Sequence, residues 1–405
     1  MKKFRTVTIA AFLMLLCVLT LVGVSGCRKE PEAPPTPTPT LPPPPEPSTP
    51  EPSLEPVTLA PYNGIVETLA FHEVIAWPEV AFTGSRREFL DAEYITAEEF
   101  VNVLEELHKN DYVLINLNDI YSEYMTETGH YKMRQNTMEI PEGKKPLVIT
   151  FDNMNFSESI IQHGFMLKYV IGPDGEIWAE GIDPNGNSVL SQELTAITLL
   201  DKFVRENPTF SHNNAKGCLS LTGAQGILGH RTQKVDVAEG EEESTESRLY
   251  RMHEVATVTP VVARLKETGW YFGSNTYSRN SLGNMSLENV QADAERWLSE
   301  VGSLVGETQI LTYPAGSRLD GGDQGTPGPA LQHYVSLGFR YFAAQGSQYH
   351  VKIKSDDYNI TAVTLDRAYV FGTTFRHHRT ILQRFFDVEA VLDPVRLKYF
   401  EYTWE

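Results

Sequence analysis

From residue 215 onward the chain keeps one rhythm, a short apolar run followed by an amphipathic stretch, and this alternation is what most narrows the folds open to it. The runs "AKGCLSLTG" (215–223), "GWYFGSN" (269–275), "TQILTYPAG" (308–316), "FRYFAAQG" (339–346) and "ITAVTLDRAYV" (360–370) read as strands. Helical patterns separate them at 257–268, 286–305 and 328–338, and "TTFRHHRTILQRFF" (373–386) reads as a last helix. Strands that alternate with crossover helices pair in parallel, with the helices outside. Upstream, "ETLAFHEVIAW" (67–77) and "KPLVITFD" (145–152) add two more strands. "TAEEFVNVLEELHKNDY" (96–112) reads as a helix capped by Thr96 with Glu99 three residues on, and "YVLINL" after it as a further strand. The expectation is an α/β fold, an incomplete, seven-stranded (β/α) barrel with an N-terminal strand–helix extension.

In such barrels the site forms at the C-terminal ends of the strands. That rule selects Asp152 and Asn153, Thr222 and Gly223, Asn275 to Arg279, Tyr313 and Pro314, Gln345 and Gly346, and Asp366 and Arg367. The set holds two acids, two arginines and several amides, and no histidine. Residues 153–214 are less regular, crowded with turn signals ("GPDGE", "DPNGN") and holding one helix near "SQELTAITLLDKFVREN". The acidic run at 237–248 reads as an exposed loop.

The 405-residue chain carries a formal charge of −19, which excludes the basic footprint that nucleic acid requires and a basic membrane-binding face. Its first 27 residues read as an export signal: Lys2, Lys3 and Arg5, an apolar run from Ile9 to Val24, then "VSGC". The last four residues resemble the bacterial lipobox, which implies lipidation at Cys27 and an extracytoplasmic, membrane-anchored protein. A plain transmembrane anchor is the alternative, for which the run is rather short. Residues 28–60 read as a disordered tether; 13 of the 26 residues in 31–56 are proline, a stretch that as polyproline II would reach about 80 Å. Cys218 is the one cysteine left for the mature domain, and its apolar setting reads as core packing.

The order "ITFDNMNF", "GSNTYSRNS", "LTYPAG" resembles the polysaccharide deacetylase family, the NodB-homology domain of carbohydrate esterase family 4. The likeness runs over roughly 65–395, with an insertion at about 155–214, within a barrel placed at 61–398 and followed by a short tail. In that family the first strand ends Thr-Phe-Asp-Asp, the first Asp serving as base and the second as metal ligand. Asp152 matches the base, but Asn153 stands at the ligand position. Two metal-binding histidines four residues apart have become Asn275 and Arg279. In the Arg-x-Pro-x-Gly motif, Pro314 and Gly316 match while Thr312 replaces the arginine. The late Leu-x-His motif has no counterpart.

The resemblance thus implies a glycan groove lined by Asn153, Asn275, Tyr277, Arg279, Tyr313 and Pro314, with Asp152 as the candidate base. The family uses a divalent metal such as zinc. Here no metal is expected, because neutral amides bind such ions weakly and an arginine repels them. Charge balance suggests that Arg279 fills the ion's place and pairs with Asp152. Two functional readings stay open: a catalytically impaired protein that binds cell-wall glycan, which the motif losses favour, and an active metal-dependent hydrolase removing acetyl groups from peptidoglycan or another polysaccharide. His72, His230 and His253 are the histidines weighed as further site groups. Asp366 and Arg367 would pair with each other or line the site, and Tyr369 joins Tyr277 and Tyr313 as an aromatic near the strand ends.

Overall fold

The computed structural model describes residues 57–238, 240–314, 318–319, 328–349, 351–355 and 361–402. The expected signal segment, Cys27 and nearly all of the tether lie outside the described residues, as does Gly316. Seven parallel strands form the centre: β1 (Glu67–Phe71), β2 (Lys145–Asp152), β3 (Cys218–Leu221), β4 (Tyr271–Ser274), β5 (Ile310–Thr312), β6 (Tyr341–Gln345) and β7 (Thr361–Tyr369). Each pairs with the next, and β7 pairs with β1, so the sheet closes into the expected barrel. Closure leaves β2 with apolar neighbours on both sides, which is why Pro146 to Asp152 are buried without interruption.

Helices α1 (Ala97–Lys109), α2 (Ala196–Glu206), α3 (Thr245–Glu267), α4 (Leu287–Trp297) and α5 (Pro329–Ser336) occupy the connections. In α1 the capping box forms as read: Thr96 Oγ1 accepts from the Glu99 N–H at 3.1 Å, and the Glu99 carboxylate accepts from the Thr96 N–H at 2.8 Å. Phe100, Val103, Leu104 and Leu107 are wholly buried on one face. Strand Tyr112–Leu114 follows and lies parallel against the start of β2.

Several elements differ from the sequence reading. Helix α3 begins twelve residues earlier than the apolar period indicates, because Ser244 caps it and Glu243 pairs with Arg251 across its first turns. The turn-rich segment after β2 holds a three-stranded antiparallel sheet, Lys168–Ile171, Ile177–Ile182 and Ser188–Ser191, and the two turn signals are its hairpins. The stretch read as one last helix is broken into Gly372–His377 and a short 3₁₀ turn, Arg379–Ile381. Strand Leu59–Tyr62 pairs with Met138–Pro141, so ordered chain starts just inside the segment assigned to the tether.

Candidate functional site

Strand β2 delivers Asp152 to the barrel interior, where it is 3% exposed. Both of its oxygens are taken by Arg367 from β7: Nη1 donates to Oδ1 at 2.6 Å and Nη2 to Oδ2 at 3.0 Å. Arg367 is itself wholly buried, and its remaining donors meet Thr150 Oγ1 at 2.9 Å and the carbonyls of Ala343 and Ala344 at 3.3–3.4 Å. This is a fork-to-fork pair with every guanidinium nitrogen engaged, the arrangement in which a buried charge is tolerated.

The pairing corrects one expectation. Asp152 is neutralised by an arginine, but that arginine is Arg367 and not Arg279. No ion pair joins Arg279 to Asp152 among the described residues, and the physical reason is strand geometry. Successive residues of β7 face opposite ways, so Arg367 turns inward while Asp366 turns out to Arg318 at 2.6 Å. Asp366 and Arg367 therefore do not pair with each other.

At the three positions where the family pattern places metal ligands, the side chains have other work. Asn153 takes a left-handed backbone (φ 60°), its N–H donates to the Ser220 carbonyl at 2.9 Å, and its Oδ1 accepts from Thr222 at 3.3 Å. Asn275 is 1% exposed, and its Nδ2 donates to the carbonyl and hydroxyl of Thr312, both at 3.0 Å. Thr312, at the position of the family's arginine, thus holds the amide in place. Arg279 brings a cation to the third position. Among the described residues, no three His, Cys, Asp or Glu side chains gather where they could hold a metal ion. One spoken-for carboxylate, two neutral amides and a guanidinium do not fit a divalent cation.

The loop after β4 is held in a strained course. Thr276 (φ 62°) and Arg279 (φ 57°) both occupy the left-handed region, which a β-branched residue rarely enters. Ser274 Oγ accepts from the Thr276 N–H, and Thr276 Oγ1 accepts from the Arg279 N–H, each at 3.1 Å. Asp293 on α4 accepts from the backbone of Tyr277 at 2.8 Å and of Ser278 at 3.0 Å. Tyr277, expected to face a groove, is buried, and its hydroxyl donates to Glu300 at 2.9 Å. Burial pushes that phenol well above its usual range. Tyr313 and Pro314 are also buried.

The end of this loop carries Arg279 over the barrel mouth. Its Nη2 lies 3.3 Å from His72 Nε2, just beyond the end of β1. A guanidinium only donates, so Nε2 must be the acceptor, and the proton sits on Nδ1, which donates to the Glu93 carbonyl at 3.0 Å. The imidazole is 4% exposed and stacks on Phe371, with ring centroids 4.2 Å apart. Burial, then the Arg279 charge, lowers its pKa from 6.5 to about 4, so it is neutral at ordinary pH. A cavity of about 420 Å³ opens beside this pair, walled by Phe89, Tyr369 and Phe371, with Glu93 and Gln345 on its rim. Tyr369 reaches the pocket, as its place near a strand end suggested.

The other two histidines lie elsewhere. His230 is buried against the Tyr169 carbonyl at 2.8 Å, and His253 is exposed on α3. Cys218 is a buried core residue whose thiol burial pushes up to about 12. Four residues lining the pocket escaped the sequence reading as site groups: Phe89 and Glu93, both on the short helix Arg87–Glu93, and Phe371 and Thr373, just past β7. The inward role of Arg367 had a signal, since an arginine between core residues on a barrel strand needs a buried acid to face.

No family model matches the sequence, and no curated protein matches it. Among solved structures the chain is similar to the Streptococcus pyogenes deacetylase PplD in complex with acetate, at 12% identity, with 80% of this chain and 98% of that one covered and a TM-score of 0.41. It is similar also to IcaB from Ammonifex degensii, at 15% identity, with 76% and 93% covered and a TM-score of 0.38.

Proposed function

We propose that this protein is a lipid-anchored, extracytoplasmic relative of the polysaccharide deacetylases that binds cell-wall glycan without hydrolysing it. The observation that carries the reading is the bidentate Asp152–Arg367 pair. A general base must lie within reach of the proton it takes. Asp152 is 3% exposed, held on both oxygens by Arg367 below the mouth, and is not among the residues lining the pocket. With Asn153, Asn275 and Arg279 in place of ligands, nothing would polarise an acetyl carbonyl or activate a water. The pocket persists at the strand ends, and its aromatic walls suit the apolar faces of sugar rings. The motif order, the expected lipidation at Cys27 and the proline tether support placement at the cell envelope.

The test has two arms. Zinc, cobalt and manganese are titrated calorimetrically into the protein, and acetate release is followed with acetylated peptidoglycan and chitin oligosaccharides. The expected outcome is no one-to-one metal binding, no acetate, and saturable binding of a glycan fragment. Metal-dependent acetate release would establish the alternative, an active hydrolase.

A further inference from the structure

The mouth pocket holds a charge that its surroundings do not neutralise. Arg279 has His72 as its side-chain hydrogen-bond partner, at 3.3 Å, and no carboxylate of the described residues lies within ion-pair distance of it. Glu93, on the same rim, feels the Arg279 charge but makes no contact with it. Of the arginines near this end, Arg367 is committed to Asp152 and Arg318 to Asp366, while Arg86 covers the Phe89 ring at 4.5 Å and donates to the Ser159 carbonyl at 2.9 Å. His72 orients the guanidinium by accepting from Nη2, and Arg279 lines a cavity of about 420 Å³ together with Phe89, Tyr369 and Phe371.

We infer that the pocket recognises a carboxylate-bearing sugar, the acid on Arg279 and the ring against the aromatic walls. This rests on the glycan-binding reading above and specifies its ligand. A guanidinium fork matches a carboxylate bidentately, and Arg279 is exposed, so an incoming acid reaches it without displacing a protein carboxylate. Glu93 lines the same pocket, where it would accept from ring hydroxyls and repel the acidic end from its own side. The carboxylate has two chemical sources in envelope glycans: a hexuronic acid, or an amino sugar with a lactyl ether.

The experiment uses the full chain, in a sugar-free nonionic detergent. Binding is measured at low salt for an oligouronate, a muramic-acid-containing disaccharide and a neutral chitin oligosaccharide of matched length, with wild type, Arg279→Gln and Arg279→Lys. At least one acidic sugar is expected to bind wild type roughly tenfold or more tightly than the neutral one, and which of the two does so identifies the source. Arg279→Gln should abolish that preference while leaving the thermal midpoint unchanged, and Arg279→Lys should restore part of it. Equal binding of acidic and neutral sugars, or a preference that survives Arg279→Gln, overturns the inference while glycan binding stands. Failure of every sugar to bind wild type overturns both.

Discussion

Asp152 and Arg367 stabilise the barrel only as a pair. Removing one partner leaves the other as an uncompensated buried charge, which costs about 3–5 kcal/mol. Arg367→Met and Asp152→Asn should each lower stability by that order in urea unfolding. The double variant Asp152→Asn/Arg367→Met should lose less than the sum of the single losses, the mark of direct coupling. Additive losses would mean that the pair does not interact as described.

Two neighbouring residues, His72 and Glu73, make opposed contributions to the pH dependence of stability. Burial raises the Glu73 carboxyl from 4.5 to about 7, against the hydrogen bonds it accepts from the N–H groups of Val74 and Ala196 and from the Tyr169 hydroxyl. Its contribution is full below pH 4.5 and is lost as pH rises toward about 7, because the unfolded chain releases the proton first. His72, lowered from 6.5 to about 4, contributes above pH 6.5 and loses that contribution as pH falls toward about 4. Relative to wild type, Glu73→Gln should therefore become more stable as pH rises through this window, and His72→Gln as pH falls. Urea midpoints at intervals from acid to neutral pH read both slopes, and parallel slopes would refute the assignment.

At the scale of elements, the strained course of the β4–α4 loop depends on α4. Asp293 fixes the backbone of Tyr277 and Ser278, and Glu300, on a π-helical turn at Leu298–Gly302, holds the Tyr277 hydroxyl and the Lys234 N–H. A π turn re-aims side chains that an α-helix would place elsewhere. Helix α3 carries Pro260 in its interior, where a proline has no N–H for the preceding turn. Pro260→Ala should raise stability by about 1–3 kcal/mol, by removing that defect from an exposed helix surface. A lowered urea midpoint would show that the helix is bent for packing.

The strands and helices of the barrel were legible because each is dominated by local pattern: caps, periodicity and continuous apolar runs. The acid at the end of β2 was legible for the same reason. Its partner was not, since which of Asp366 and Arg367 points inward depends on a register of one residue. The pocket rim was hidden as well, because Phe89 and Glu93, on one short helix, meet Arg279 only in three dimensions. The three-stranded sheet after β2 announced its turns but not its strands, in which only Tyr169, Ile177, Ala179 and Gly181 are buried.

At the scale of the whole molecule, the two ends of the folded chain complete one another. The wholly buried Arg396 donates to Glu99 at 2.6 and 2.7 Å and to Asp91 at 2.7 Å, and Arg384 reaches Glu67 at 2.8 Å. Strand β1 hydrogen-bonds to β7, the last strand of the barrel. None of these partners exists until the C-terminal segment has been synthesised. Through that interval the early strands present an open edge and Glu99 and Asp91 lack their cation, which makes the unfinished chain sticky and slow to settle. Closure of the ring is therefore a late event in the life of each molecule, and a chain cut short of β7 is one for quality-control proteases to remove.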